Sequence, residues 1–353
     1  ERMSGNPTTA MRFGLVGYGA FGRLHAQSIA KVADAALVAI CARGDEAAAA
    51  AAADFPGVAV HRDYRALVQD AAVEVVDVVT PNHTHAEIGV AALEAGKDLL
   101  LEKPMATTVE GCDALITAAR RSGRLINVGH ELRLSSQWGT IKRLIDDGAI
   151  GAPRYANLSL FRHPYRQGAG GWRYAADRVG SWILEEPVHF YDLLMWYFEA
   201  AGDPRSVRAV GNGCGRDAAS GRPGMYDNFT SLLTFSDGRY ATITQSLAGF
   251  EHHMLLEITG ERGALRSRWS GGDARSLAPT FALTLMRGGA APETLELGRS
   301  GEVFELEEQI RRTVEAFRAR CTLVSGEVGR KPIVVCLAAE RSARESQEVT
   351  LGF

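Results

Sequence analysis

Met11-Arg12-Phe13-Gly14-Leu15-Val16-Gly17-Tyr18-Gly19-Ala20-Phe21-Gly22 is the stretch around which the rest of the chain can be read. Its first half is a short apolar run closing on a glycine, which reads as a strand. A helical pattern follows through Ala30. Between the two, the glycines fall as G-x-G-x-x-G, a spacing that carries meaning only in this strand–turn–helix context. Gly17 permits a tight turn, Gly19 lets a pyrophosphate approach the backbone, and Gly22 lets the helix pack close. The helix N-terminus, with the N–H groups around Ala20 and Phe21, faces the phosphates. A glycine-rich loop without a ligand is the competing reading.

Working outward, the pattern repeats. Ala36 to Ala42 predicts a second strand and Asp45 to Ala53 a helix, where the alanine run is strong helix propensity. Val75 to Thr80 predicts a buried strand, Ala86 to Ala95 a helix, and Lys97-Asp98-Leu99-Leu100-Leu101 a strand buried on both faces. A helix over Val109 to Arg121 and a strand over Arg124 to Gly129 complete the series. Apolar strands alternating with helices predict a doubly wound parallel sheet. In such sheets ligands bind beyond the carboxyl ends of the strands. Lys103, in Glu102-Lys103-Pro104, is therefore placed where chemistry happens, against the plain alternative of a surface lysine closing a strand.

Two further loops lie at the same strand ends. Cys41-Ala42-Arg43-Gly44-Asp45 follows the second strand, where Arg43 suits a ribose 2′-phosphate and Asp45 falls slightly late for a ribose 2′-hydroxyl. NAD and NADP both stay open, as does Arg43 as a mere surface arginine. Thr80-Pro81-Asn82-His83-Thr84-His85 opens the next helix. Asn82 and His83 read as loop groups around a nicotinamide and its ribose, and no Cys or carboxylate nearby completes a metal set.

After about Gly151 strands follow one another: Tyr155 to Leu160, Val207 to Gly211, Phe229 to Phe235, Tyr240 to Ser246 and Met254 to Thr259. Ser236-Asp237-Gly238 and Glu261-Arg262-Gly263 are hairpin signals. Consecutive strands without crossover helices predict an antiparallel sheet. One long helix, from Pro187 to about Glu199, interrupts them. Phe304 to Arg320 and Val334 to Gln347 are helical and are expected to return towards the first domain.

The whole chain sets outer bounds. Its 353 residues suggest two domains, and 46% apolar with 23% charged residues is ordinary for a globular protein with a full core. A net charge of −3 gives no reason to expect nucleic acid or an acidic membrane surface. No apolar run reaches the roughly 18 residues of a membrane span. Five scattered cysteines without a CxxC pair fit a reducing cytoplasm. Glu1 to Ala10 is polar, has no apolar run, and is read as lying outside the fold.

Taken together, Gly17-Tyr18-Gly19-Ala20-Phe21-Gly22, Thr80-Pro81-Asn82-His83-Thr84-His85, Glu102-Lys103-Pro104 and Glu185-Glu186-Pro187-Val188-His189-Phe190-Tyr191-Asp192 resemble the glucose–fructose oxidoreductase / inositol dehydrogenase / rhizopine-catabolism (Gfo/Idh/MocA) family. The resemblance runs from Met11 onward. It implies an α/β protein: a Rossmann domain, 11–129, then an α+β domain, 130–353, with a large open, mainly antiparallel sheet whose face often serves oligomerisation. It further implies NAD(P)-dependent oxidation of a sugar, polyol or related carbinol, and a homodimer or homotetramer. By the same resemblance Lys103 matches the catalytic lysine and His189 the catalytic histidine. Glu185 stands where the family usually has Asp, and Pro187 replaces a common glycine.

Removing a hydride from a carbinol carbon requires removal of the hydroxyl proton as well. A histidine is the natural base near neutral pH, and an ammonium stabilises developing alkoxide. Glu185 can hold substrate or orient the histidine. His189, Leu193 and Trp196 also recur at helical spacing, which by itself suits a packed histidine. Arg133, Arg162, Arg166, Trp172, Arg173 and Glu186 are candidate substrate groups. Guanidinium forks match an anionic sugar, while a solvated loop with structural aromatics is the plain alternative. Two other functions share this scaffold. One is a redox-neutral, NAD-dependent glycosidase working by transient oxidation and elimination. The other is a non-catalytic NAD(P)-binding protein.

Overall fold

The computed structural model describes residues 10–215 and 219–353, so most of the polar segment ahead of Met11 lies outside the described residues. Contacts group the chain into two units. The first takes residues up to Ala106, 110–129 and 306–328. The second takes 107–109, 130–305 and 329–353. A division at 129/130 leaves 306–328 in the second part, whereas its packing places it in the first.

The first unit is a six-stranded sheet of β1 (Met11–Val16), β2 (Ala35–Cys41), β3 (Ala59–His61), β4 (Val75–Val78), β5 (Asp98–Glu102) and β6 (Ile126–Gly129). The spatial order is β3-β2-β1-β4-β5-β6 and every pair is parallel. Helices α1 (Ala20–Lys31), α2 (Asp45–Asp54), α3 (Tyr64–Gln69), α4 (His85–Glu94) and α5 (Val109–Ser122) connect them. Strand order reverses between β1 and β4, which makes the carboxyl end of β1 the topological switch point. β4, β5 and β6 are buried at every position, as strands covered on both faces must be. The short pair β3 and α3 lies at an edge and was not anticipated from the sequence.

Residues 306–328 complete one face of this sheet. Ile310, Val314 and Phe317 recur at helical spacing and pack on Phe13, Ile29, Val32, Val75 and Leu100. Asn127 on β6 fastens the chain on both sides of residue 320. Its Oδ1 accepts from the N–H groups of Leu323 (3.1 Å) and Val324 (2.9 Å), and its Nδ2 donates to Thr313 Oγ1 (3.0 Å).

The second unit is built on nine strands: β7 (Pro153–Phe161), β8 (Ser206–Asn212), β9 (Asn228–Thr234), β10 (Tyr240–Ser246), β11 (His252–Gly260), β12 (Gly263–Gly271), β13 (Thr280–Arg287), β14 (Glu293–Thr294) and β15 (Val349–Thr350). Their order is β14-β13-β12-β11-β7-β10-β9-β8-β15, and only β7 with β10 is parallel. One face is buried by Ala156, Leu158, Leu160, Ile243, Leu256 and Ile258. Beside it lie α6 (Trp138–Asp146), the short α7 (Ala176–Val179) and α8 (Trp182–Glu185), and α9 (Pro187–Tyr197). Helices α10 (Glu302–Arg318) and α11 (Gly326–Glu345) each begin in one unit and end in the other. Among the described residues no helix is long and apolar enough to cross a membrane.

Candidate active site

In the first unit the three motif glycines have three separate reasons to be glycine. Gly17 has φ +104°, and a Cβ there would stand 2.1 Å from the Val79 carbonyl oxygen. A Cβ on Gly22 would stand 2.0 Å from the Gly17 oxygen, so helix and turn touch through bare backbone. Gly19, the N-cap of α1, has nothing within 4 Å of its would-be Cβ, and no acidic residue occupies the first turn. Open space over Gly19, beside an uncompensated helix N-terminus, fits a dinucleotide pyrophosphate. Ala20 is exposed, and Phe21 packs edge-on against His25 with ring centres 4.9 Å apart. Arg43 is exposed after β2, while Asp45 forms an ion pair with Arg62.

Lys103 follows the last residue of β5, at the same carboxyl edge of the parallel sheet as the glycine turn. The chain around it is held by groups not singled out in the sequence. Asp77 sits in the middle of β4 and His25 on the inner face of α1, both fully buried. His25 Nδ1 donates to Asp77 Oδ2 at 2.8 Å, and its Nε2 lies 3.3 Å from Glu102 Oε1. Glu102 Oε2 accepts the Lys103 N–H at 3.2 Å. Burial alone would favour a neutral imidazole, but Asp77 and Glu102 outweigh it and push His25 up to about 10. Burial would likewise favour a neutral Glu102; His25 and Lys103 prevail and hold its carboxyl below the ordinary range. The signal in the sequence was Asp77 itself, a carboxylate inside Val75-Val76-Asp77-Val78 that had to find a partner.

The Thr80–His85 loop has its own clamp. His85 is buried with Nδ1 2.7 Å from the Pro104 oxygen and Nε2 2.8 Å from the Thr80 oxygen. Thr84 Oγ1 donates to Thr80 Oγ1 and lies equally near the Pro81 oxygen. Asn82 is buried and His83 exposed.

In the second unit α9 is buried nearly all round, with Glu186 at the N-cap and Pro187 in the first turn, where its missing N–H is harmless. His189, in the first turn, lies edge-on to His130 with ring centres 5.7 Å apart, and its Nε2 is 3.6 Å from Glu131 Oε1. That separation is an ion-pair distance rather than a hydrogen bond. Glu131 therefore supplies a buried carboxylate beside His189. Glu185 ends α8 and is engaged by Arg173. His130 and Glu131 emerge directly from the last strand of the parallel sheet, which was the available sequence signal for them.

Each candidate arginine is matched by a carboxylate within this unit. Arg133 forks onto Asp192 with two 2.7 Å bonds and lies over the Trp196 ring. Arg162 pairs with Glu186 and covers Tyr165, and Arg173 pairs with Glu185 and covers Trp172. Arg166, 74% exposed, reaches Asp273 at 2.9 Å. Burial lowers His252 to about 4, so it stands neutral next to Trp269.

The fold and the glycine turn define a Rossmann-type dinucleotide-binding domain. The model described as "Oxidoreductase family, NAD-binding Rossmann fold" matches residues 11–130, and that of the "GFO/IDH/MocA C-terminal domain" matches 138–266. An inositol 2-dehydrogenase of Saccharopolyspora erythraea is 30% identical over 282 residues, 77% of this chain and 79% of that one. A levoglucosan dehydrogenase of Pseudarthrobacter phenanthrenivorans is 28% identical over 288 residues, covering 72% and 73%. In fold, a levoglucosan dehydrogenase solved with NADH and levoglucosan superposes with a TM-score of 0.85 at 22% identity, covering 98% of this chain and 100% of that one. The chain belongs to the Gfo/Idh/MocA oxidoreductase family, and its first unit is an NAD-binding Rossmann domain.

Proposed function

We propose that this protein is a dehydrogenase passing a hydride between a nicotinamide dinucleotide and a secondary hydroxyl of an uncharged sugar or polyol. The observation that carries the reading is positional: Lys103 follows β5 at the carboxyl edge where the Gly17–Gly22 turn follows β1. The backbone of Gly17, Gly19, Ala20, Phe21 and Gly22 would hold the pyrophosphate, Arg43 the adenosine ribose, and Thr80, Asn82, His83 and Glu102 the nicotinamide end. When bound, the nicotinamide supplies the hydride acceptor. Lys103 would place positive charge beside the reacting oxygen, and His189 would take the hydroxyl proton. Glu131, 3.6 Å from His189 Nε2, would orient the ring, and Glu185 would serve substrate binding through its Arg173 partner.

The substrate class follows from charge. Arg162 with Glu186 and Arg173 with Glu185 form neutral pairs that still offer donors and acceptors, the chemistry of a polyhydroxyl ring rather than of a carboxylate or phosphate. The inositol and levoglucosan relatives support the same class. The test is to offer a panel of inositols, anhydrosugars, hexuronates and aryl glycosides with NAD or NADP and to follow reduced cofactor. Reduction with neutral polyols is the expected result. Turnover restricted to hexuronates would remove the charge argument, and aglycone release without reduced cofactor would establish the glycosidase instead.

The second unit's sheet is proposed to pair with another copy. Phe161, Tyr240, Leu255 and Val210 are exposed, and strand registers put them on one face. Light scattering that returns a monomer at micromolar concentration would refute this. Five scattered cysteines without a CxxC pair are the ground for proposing a reducing, cytoplasmic setting.

A further inference from the structure

Lys103 is bracketed by two buried histidines. Before it, His25 joins Asp77 to Glu102, and Glu102 accepts the Lys103 N–H. After it, buried His85 stands between the Pro104 and Thr80 carbonyl oxygens and donates to one of them. The N-terminal bracket calls for a physical reason. Replacing a buried ion cluster by apolar packing of the same volume is often neutral or stabilising, so stability alone does not require three ionisable groups here. Position explains them better. Glu102 and Lys103 are consecutive, Asp77 lies on the neighbouring strand β4, and His25 lies three residues past Gly22 on the helix of the glycine turn.

We propose that His25 is a positioning residue for Lys103: anchored by Asp77, it fixes the Glu102 carboxylate, and Glu102 fixes the main chain and the electrostatic surroundings of the Lys103 ammonium. Two of the links are hydrogen bonds, His25 Nδ1 to Asp77 and the Lys103 N–H to Glu102 Oε2, and the third, His25 to Glu102, is a buried ion pair at 3.3 Å. The Glu102 carboxyl is divided between its two neighbours, Oε1 towards His25 and Oε2 towards the Lys103 N–H. Gly129 on β6 closes the remaining side, since a Cβ there would come within 2.6 Å of Oε1. Without the imidazolium, Glu102 would be a buried carboxylate stripped of its cationic neighbour on β4's side, and it would turn or take up a proton. Either change withdraws negative charge from Lys103. This proposal rests on the reading of Lys103 as the charge-bearing group of the reaction.

The chain has five lysines, Lys31, Lys97, Lys103, Lys142 and Lys331, few enough to follow singly by NMR of isotope-labelled side chains. The experiment compares the native protein with His25→Gln, Glu102→Gln, Lys103→Met and the double variant His25→Gln/Lys103→Met. His25→Gln keeps a side chain able to hydrogen-bond at its end but removes the cation. The Lys103 resonance is expected to titrate about one pH unit or more lower in both single charge variants, the other four staying put. With a polyol substrate, kcat is expected to fall about thirtyfold in His25→Gln, with KM and NADH affinity changing less than about threefold. In the Lys103→Met background the same change should have no further effect, because the residue acts through the lysine. A Lys103 resonance that titrates as in the native protein overturns the proposal, and so does an equal loss of rate in both backgrounds. Should the native protein oxidise no polyol, the functional reading falls while the lysine titration still decides the positioning role. If His25→Gln does not fold, Glu102→Gln reads the same link from its other end.

Discussion

Alanine placed at two glycines three residues apart should have opposite consequences. At Gly22 the new methyl would stand 2.0 Å from the Gly17 carbonyl oxygen, more than an ångström inside ordinary contact. Its neighbour is main chain at a turn already pinned by the Gly17 N–H to Cys41 oxygen bond. No side chain can rotate away, so α1 must lift off β1. Overpacking of this kind destabilises by about 3 kcal/mol or more. At Gly19 the backbone is extended (φ −82°, ψ −170°) and nothing lies within 4 Å. Gly19→Ala exchanges one weak N-cap for a poorer one, at about 1 kcal/mol or less. Its methyl, however, fills the space assigned to the pyrophosphate, and a tenfold loss of dinucleotide affinity is expected, about 1.4 kcal/mol. Urea unfolding and titration with NADH and NADPH separate the effects: Gly22→Ala fails in the first, Gly19→Ala in the second. A Gly19→Ala protein that binds both dinucleotides with native affinity would refute the assignment of that space. A Gly22→Ala protein as stable as the native would refute the close approach of helix and turn.

Asn127→Leu strands the N–H groups of Leu323 and Val324 and the Thr313 hydroxyl, at about 3 kcal/mol in all. Amide exchange should accelerate across 321–328 before the rest of the first unit, and uniform acceleration would count against a local clamp. His25 is raised from an ordinary value near 6.5 to about 10, so its contribution to stability is complete below about pH 6.5 and lost as pH rises towards 10. His25→Gln should flatten that part of a stability profile, and an unchanged alkaline limb would show the imidazole to be neutral. Glu186→Gln leaves the Arg162 guanidinium without its carboxylate. Its KM for a hexuronate should drop about tenfold relative to that for a neutral polyol, and equal changes for both would place Arg162 outside the substrate site.

The parallel half was legible because a strand covered on both faces reads as an unbroken apolar run and glycine turns punctuate it. Leu99 to Leu101 is of this kind, and Val75 to Val78 departs from it only at Asp77. The Ser236-Asp237-Gly238 turn was readable for a similar local reason, with Gly238 at φ +85°. What escaped was non-local or weakly patterned. β3 has three residues, none of them fully buried, and β12 sets Arg266 and Arg268 on its outward positions, where arginine gives no strand signal. Helix α6, Trp138–Asp146, hid behind a mixed polar sequence. Partnerships were harder still. Nothing in Arg173 or Glu185 states that they meet across 12 positions, or that Glu131, 58 positions before His189, supplies a carboxylate in ion-pair range. Strand register and helix rotation decide such pairs, and both belong to the folded chain.

The return of residues 306–328 to the first unit bears on how this protein could be taken apart or recombined. A gene fragment ending at Gly129 would encode every strand of the parallel sheet and the whole glycine turn. It would nevertheless leave Phe13, Ile29, Val75 and Leu100 without Ile310, Val314 and Phe317, and Asn127 without the backbone it holds. Such a fragment would present a greasy flank and associate with itself. Grafting the cofactor module onto another scaffold therefore requires two pieces of chain, and a swap made at a single crossover between relatives would mismatch that seam.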